Sequence, residues 1–465
     1  MPHPPFGLVR GLTHLVDTHA LSGEVGFIVL PDSAGFAQQI FRGIVKVLFV
    51  HQNFPGQYLH VARHLGATPG NEVVFITQRR DAAALPGVKK IVYKPRRPVT
   101  KGIHHYLRDT EAMVLNAQEV ARIALDLKRS GFVPDVMVGH NGWGEIWYLK
   151  DVYPDVPLLG YFEFFYRSNG ADVGFDAKEA RIFDTGPRIR TKNFGNLIAL
   201  NTADLGQCAT QWQKALYPER YHPMLRVVHE GIDTNIVKPN PEARLPLPGS
   251  GKELTAADEV VTYVARNLEP YRGFPSFMRS LPAILKRRCK AHVVIIGGDA
   301  TSYGPRPPKG QTFREQLLQE LGAELDLSRV HFLGKVPYSI YLKTIQISRA
   351  HVYLTYPFVL SWSMLEAMAA ECLVIGSRTP PVEEVITDGK NGILVDFFSP
   401  DEIAEKVVAV LEKPDALGST RKNARKSVVE KYDLQSACLP AQLKLLENLA
   451  DGHHQNAVHA GDLRQ

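Results

Sequence analysis

The sequence predicts an α/β protein of two doubly wound, Rossmann-like domains facing across a cleft. Three observations carry this. The chain has 465 residues, which at about 150 residues per domain favours two or three cores. Short apolar runs alternate with amphipathic helical stretches, the pattern of βαβ units and parallel sheets. The alternation stops at a loop rich in Pro and Gly, residues 238–251, and then begins again.

Residues 1–44 lack the alternation, and His14, Asp17, His19 and Glu24 interrupt any apolar core a secretory signal would need. They read as an N-terminal extension, disordered or not native, with Val45 a candidate initiator. Residues 45–50 form the first run of the buried-strand kind, and the turn-rich stretch from His51 to Gln57 follows at once. Residues 72–77, 133–138, 156–162 and 198–201 are strand-like. After the loop come 260–265, 292–296, 330–333, 351–355 and 373–377. Helices over 313–321 and 363–370 precede the strands at Val330 and Leu373, as right-handed crossovers require. The expected division is 45–225 for a first Rossmann-like domain, 226–430 for a second, 431–450 for a helix packing back on the first domain, and 451–465 for a flexible tail.

Composition excludes several classes. Hydrophobic residues at 45% and charged residues at 22% rule out a mainly disordered or collagen-like chain. No run approaches the roughly 18 to 20 apolar residues that span a bilayer. Cys208, Cys289, Cys372 and Cys438 lie far apart without C-x-x-C spacing, which implies neither a zinc site nor a disulfide framework and fits a reducing cytoplasm. A net charge of +6 is too weak to argue for nucleic acid. The charge is uneven, however: Arg79, Arg80, Lys89, Lys90, Lys94, Arg96, Arg97 and Lys101 stand against Asp81 alone. This segment is either an exposed, solvated loop or a surface for an anionic leaflet, making the protein cytoplasmic and peripheral on the inner face of the membrane.

Ligands of open α/β sheets sit outside the carboxyl ends of the strands, so the strand-to-helix loops hold the candidates. Arg266 and Arg272 follow the first strand of the second series; two guanidinium groups there would clamp a diphosphate, or simply be solvated. Gly297-Gly298-Asp299 would admit close backbone approach or make a tight turn. Glu366 lies on a helix among buried neighbours, where a carboxylate would accept from two ribose hydroxyls or neutralise a helix start. In the first series, His140 leaves a strand end into a Gly-rich loop, and Glu145 would bind hydroxyls or cap a helix. Gly56 would allow the loop beginning at Asn53 to approach a ligand. The aromatic residues Tyr161, Phe162, Phe164, Phe165 and Tyr166 around Glu163 read as a core strand, which leaves this carboxylate as the polar candidate.

Taken in order, Arg266 and Arg272, Gly297-Gly298-Asp299, Val330-His331-Phe332-Leu333-Gly334 and Leu365-Glu366-Ala367-Met368-Ala369 resemble retaining glycosyltransferase family 4. The resemblance is dense over 227–396 and looser over 46–203. It implies the GT-B fold and a nucleoside diphosphate sugar held mainly by the second domain. Arg266 and Arg272 would then serve the diphosphate and, with His140 beside the transferred sugar, form the catalytic set. Gly56, Gly298, Val336 and Glu366 would complete the donor site, with Val336 against the base and Glu366 on the ribose. Asn53, Glu145 and Glu163 would meet a saccharide or lipid-linked acceptor. No Asp-x-Asp pair occurs, so no metal or other cofactor is expected, and protein charge would stabilise the leaving diphosphate. The implied reaction is same-face transfer without a covalent intermediate, in surface glycan or exopolysaccharide synthesis.

Three departures from the family pattern stand out. Phe358 occupies the position of the first of two glutamates eight residues apart, Glu371 that of a helix-ending Gly, and Arg272 that of a Lys one residue closer to its partner. The first keeps open a non-catalytic nucleotide-sugar-binding protein, and since the fold alone does not choose the reaction, a nucleotide-sugar epimerase or hydrolase on the same fold is the other alternative.

Overall fold

The computed structural model describes residues 45–178, 182–248 and 251–462. The expectation for residues 1–44 lies outside them. The first half supplies strands β1 (Lys46–Val50), β2 (Glu72–Thr77), β3 (Val88–Val92), β4 (Val136–His140), β5 (Leu158–Tyr161), β6 (Leu205–Cys208) and β7 (Leu225–Val227). They form one seven-stranded parallel sheet in the order β3-β2-β1-β4-β5-β6-β7. A two-stranded antiparallel ribbon of β8 (Arg244–Pro246) and β9 (Glu253–Thr255) forms within and just beyond the Pro- and Gly-rich loop. The second half supplies β10 (Val260–Asn267), β11 (His292–Gly298), β12 (Val330–Gly334), β13 (Ala350–Tyr353), β14 (Val374–Ser377) and β15 (Ile393–Val395). These form a six-stranded parallel sheet, β12-β11-β10-β13-β14-β15.

Side-chain alternation builds the layers. On one face of the first sheet, Leu48, Val50, Val74, Ile76 and Met137 pack with Ala117, Val120, Ala124 and Leu127 of the helix Arg108–Arg129. On the other, Val47, Phe49, Val73, Phe75 and Val138 meet Val61, Ala62 and Leu65 of the helix Leu59–Ala67, together with Leu439, Leu443 and Leu446. Those last leucines belong to the helix Leu439–Asp462, which returns to the first sheet and stays helical through most of the segment expected as a tail.

Two expectations need correction. Residues 198–201 lie in the helix Phe194–Thr202, and the neighbouring strand is β6. Gly195, Asn196, Ala199 and Leu200 are the buried positions there, a helical spacing that a four-residue apolar run does not reveal. The basic segment is not simply a loop, since it contains the edge strand β3, whose lysines suit a sheet margin. Its cations also have acidic partners beyond the segment: Arg96 meets Glu119 at 3.2 Å and Arg97 meets Glu111 at 2.8 Å, both acids on the long helix Arg108–Arg129.

Each sheet reverses its winding beside its first strand, between β1 and β4 in one and between β10 and β13 in the other. The crevices at these two switch points are where α/β sheets hold ligands. The two halves also touch directly. The Phe164 and Phe358 rings lie 4.6 Å apart, and the Tyr271 hydroxyl donates to Asp172 at 3.1 Å. Glu384 accepts from the backbone N–H groups of Gln211 and Trp212 at 2.8 and 2.7 Å.

Candidate functional site

The loop after β1 folds over its own first residue. Gly56 has φ +57°, and a Cβ there would come within 2.7 Å of the His51 ring, so a side chain is excluded. His51 Nδ1 accepts from the Asn53 N–H at 2.9 Å, which leaves the proton on Nε2 to donate to Gln57 Oε1 at 2.7 Å. Asn53, expected to meet an acceptor, is 3% exposed. Gln57 Nε2 in turn donates to Glu163 Oε1 at 3.2 Å.

His140 ends β4 at the neighbouring position. Its Nδ1 accepts from the Gly142 N–H at 2.9 Å, so the neutral ring carries its proton on Nε2. That atom is buried, without a hydrogen-bond partner among the described residues, 3.8 Å from Glu163 Oε2. Burial, and then the nearby His51, push the His140 pKa well below the usual range. The ring is therefore neutral, and its approach to Glu163 is not an ion pair. Tyr161 stacks on it at 5.2 Å and Trp143 packs at 4.4 Å.

Glu163 retains 15% side-chain exposure, against 1% for His140. The carboxylate, not the imidazole, is the member of this pair that reaches the surface. Burial and the charge of Glu230 raise its pKa to about 7; Arg266, Gln57 and Arg272 pull the other way. The guanidinium groups of the second domain thus act on a carboxylate of the first.

Those groups lie at the carboxyl end of β10 and on the short turn Pro270–Arg272. Arg272 is held in place, its Nη1 donating to Thr355 Oγ1 at 2.8 Å and to the Val359 carbonyl at 3.0 Å, with Tyr303 facing the guanidinium at 5.4 Å. Arg266 has no ion pair among the described residues. Glu269 lies between them in sequence and accepts from the N–H groups of Ser302 and Tyr303 at 2.6 and 3.0 Å. Burial raises its pKa to about 7. Gly298 ends β11 where a Cβ would stand 2.7 Å from Lys335 Cε, and the half-buried Val336 packs beside Tyr338 against the cluster containing Leu365.

Glu366 is 8% exposed, and its two oxygens accept from Tyr338 at 2.8 Å and Tyr341 at 2.7 Å. Each oxygen keeps a lone pair for a further donor. Phe358 sits among Phe164, Tyr303 and Tyr271 as part of the apolar seam between the domains.

Glu145 departs from the expectation that it binds acceptor hydroxyls. It has 0% exposure and accepts from the Tyr93 hydroxyl inside the first domain; burial raises its pKa to about 8. The Gly-rich loop around it suggested an open cleft, but Tyr93, 52 positions away, closes over it. The structure also adds residues that the sequence reading passed over. His51 occupies the same strand-end position on β1 that His140 does on β4, and that position was the available signal. Glu269 gave none, since its partners are set by tertiary packing.

Residues 69–237 match the family model for the glycosyl transferase family 4 group, and residues 250–427 match that for glycosyl transferases group 1. A D-inositol 3-phosphate glycosyltransferase from Corynebacterium glutamicum is 26% identical over 245 residues, 51% of this chain and 55% of that protein. An uncharacterized glycosyltransferase from Methanocaldococcus jannaschii is 25% identical over 137 residues, 29% of this chain and 35% of its own length. The chain thus covers little more than half, or less, of these curated relatives. HepE from Anabaena in complex with UDP superimposes with TM-score 0.57 at 15% identity, covering 86% of this chain and 98% of that one. Sucrose-phosphate synthase from Thermosynechococcus elongatus gives 0.60 at 17%, covering 90% and 100%. At such identities the likeness is one of fold. With one family match on each parallel sheet, in chain order, the protein belongs to glycosyltransferase family 4 and has its two-domain GT-B architecture.

Proposed function

We propose that the protein transfers a sugar from a nucleoside diphosphate sugar to a saccharide or lipid-linked saccharide acceptor, with retention and without a metal ion. The observation that carries this reading is the place of two cations: Arg266 at the carboxyl end of β10 and Arg272 on the turn that follows stand at the switch point of the second sheet. A diphosphate between these groups meets two permanent charges, one of them pre-positioned by Thr355 and Val359. Charge that builds on the leaving diphosphate is then stabilised by groups that need no reorganisation. Glu366 takes the ribose through its remaining lone pairs. The neighbour HepE binds UDP and UDP-glucose, which supports a uridine nucleotide as the carrier.

The acceptor belongs to surface glycan or exopolysaccharide synthesis, and the protein works at the inner face of the membrane. Among the described residues no helix is long and apolar enough to cross a membrane. Arg80, Lys89, Lys94 and Lys101 remain exposed on the basic segment to hold an anionic leaflet. Reversing these four to Glu abolishes binding to anionic vesicles if this is right; binding unchanged by the reversal contradicts it.

The activity test is incubation with radiolabelled nucleotide sugars and mixed saccharide acceptors, with and without EDTA, followed by product analysis. A glycoside with retained anomeric configuration, formed equally with EDTA, is expected. Free sugar or an epimer as the sole product, or unchanged donor, overturns the reading.

A further inference from the structure

We propose that Tyr303 is a donor-binding residue whose hydroxyl donates to the phosphate of the nucleotide sugar that lies farther from the ribose. This rests on the proposed function and adds a neutral donor to its two arginines.

Three observations carry it. The first is position. The centre of the Tyr303 ring lies 5.4 Å from the Arg272 guanidinium, so the hydroxyl falls within the span of a diphosphate bound there. The second is anchoring. Glu269, fully buried, accepts the N–H groups of Ser302 and Tyr303 on one oxygen at 2.6 and 3.0 Å. Ser302 Oγ accepts from Asn267 Nδ2 at 2.6 Å. Gly304, at φ +74°, lies so close to Tyr271 that a Cβ would stand 2.9 Å from its ring. Residues 302–304 are thus pinned three ways to the loop that carries Arg266 and Arg272, which holds Tyr303 at the clamp before a ligand arrives. The third is the hydroxyl itself. The Tyr271 hydroxyl donates to Asp172, that of Tyr263 donates to the Arg272 carbonyl at 2.7 Å, and that of Tyr353 accepts from the Ser361 N–H at 2.8 Å. The Tyr303 hydroxyl makes no hydrogen bond among the described residues, although its side chain is half-buried. A tyrosine packed in this way ordinarily has a partner for its O–H. A phosphate oxygen held by Arg272 is such a partner, an ionised acceptor for a neutral donor.

Phe358 and the layering of the second domain decide which phosphate it is. Phe358 packs on the Tyr303 ring at 4.8 Å and offers no acceptor, so no carboxylate at that position competes with an anion for the O–H. Tyr303 and Phe358 pack in the layer that includes Val352 and, from the first domain, Phe164. Leu365, next to Glu366, packs with Tyr353 in the layer on the opposite face of the sheet. With the ribose at Glu366, Tyr303 therefore meets the far end of the diphosphate, the phosphate that carries the sugar.

The test is calorimetric titration of the full chain with UDP, GDP and ADP, and then of the parent and Tyr303→Phe with the preferred diphosphate, its monophosphate and its glucose ester. The variant keeps the ring over Arg272 and its packing on Phe358, so its fold is not at stake. It is expected to bind the diphosphate and the glucose ester roughly tenfold or more below the parent, and the monophosphate within about twofold of it. Equal affinity for the diphosphate in parent and variant means that the hydroxyl touches no phosphate and overturns the inference; so does weakening of the glucose ester alone, which places the contact on the sugar. Equal loss for monophosphate and diphosphate overturns the assignment to the far phosphate. If none of the three diphosphates binds the parent chain, the proposed function itself fails, an outcome that shows in the parent before any variant is compared.

Discussion

Trp362 donates its indole N–H to Glu230 Oε2 at 3.0 Å, across 132 positions of sequence. The other oxygen of Glu230 accepts from the Tyr161 hydroxyl at the end of β5. One buried carboxylate therefore joins the first sheet to the helix Trp362–Ala369 that carries Glu366. Gln442 ties the same point to the returning C-terminal helix through the carbonyls of His229 and Glu230.

Glu230→Ala should leave a hydroxyl and an indole N–H buried and unpaired. Each such group costs about 1 to 3 kcal/mol. Scanning calorimetry should show a clear fall in melting temperature, and Glu230→Gln, which keeps an acceptor, a smaller one. An unchanged melting temperature in the alanine variant would mean that water or a shift of the domains replaces the lost partner.

Glu371 is the only non-glycine with positive φ among the described residues, at φ +60°. It stands just past the helix Trp362–Ala369, where its N–H bonds the Met368 carbonyl and the Cys372 N–H bonds that of Ala367, a helix end that favours Gly. The left-handed conformation costs an L-residue about 1 to 2 kcal/mol, and glycine's greater freedom in the unfolded chain returns part of that. Glu371→Gly should stabilise the protein by about 0.5 to 1 kcal/mol in chemical denaturation, and Glu371→Val should destabilise it. A less stable glycine variant would contradict this reading of the turn.

Three buried carboxylates give the stability a defined pH dependence. Burial raises Glu145 from the usual 4.5 to about 8, and Glu163 and Glu269 to about 7. Between about 4.5 and 8 the unfolded chain has released protons that the folded chain still holds, so stability falls as pH rises through this window. At about 1.4 kcal/mol per pKa unit, each group contributes a few kcal/mol. Melting temperatures from pH 5 to pH 8.5 should decline for these groups, and Glu145→Gln should flatten the decline, gaining on the parent most at the alkaline end. A variant that tracks the parent at every pH would remove Glu145 as a cause.

Much of the second domain was legible because buried parallel strands read as continuous apolar runs, and β10, β11 and β12 were recognised within a few residues of their ends. Edge strands were not: β3 carries Lys89 and Lys90, and β7 has only three residues. At the site, strand-end position identified His140, Arg266 and Arg272, since the chain order itself places them at the switch points. Burial was the hidden variable. Tyr93 encloses Glu145 from 52 positions away, and Gln57 reaches Glu163 across 106, separations that leave no local pattern to read.

The central claim is that the arginines of the second domain hold a nucleoside diphosphate. Arg272 is a poor probe, since its loss also frees Thr355 and Val359. Arg266 has no ion pair to disturb among the described residues, so Arg266→Ala should leave the melting temperature nearly unchanged. Titration with UDP is the direct measurement. Loss of a charge-assisted hydrogen bond of about 1.5 to 3 kcal/mol predicts affinity roughly 10- to 150-fold below that of the parent. Equal UDP affinity in the parent and the variant would contradict the account.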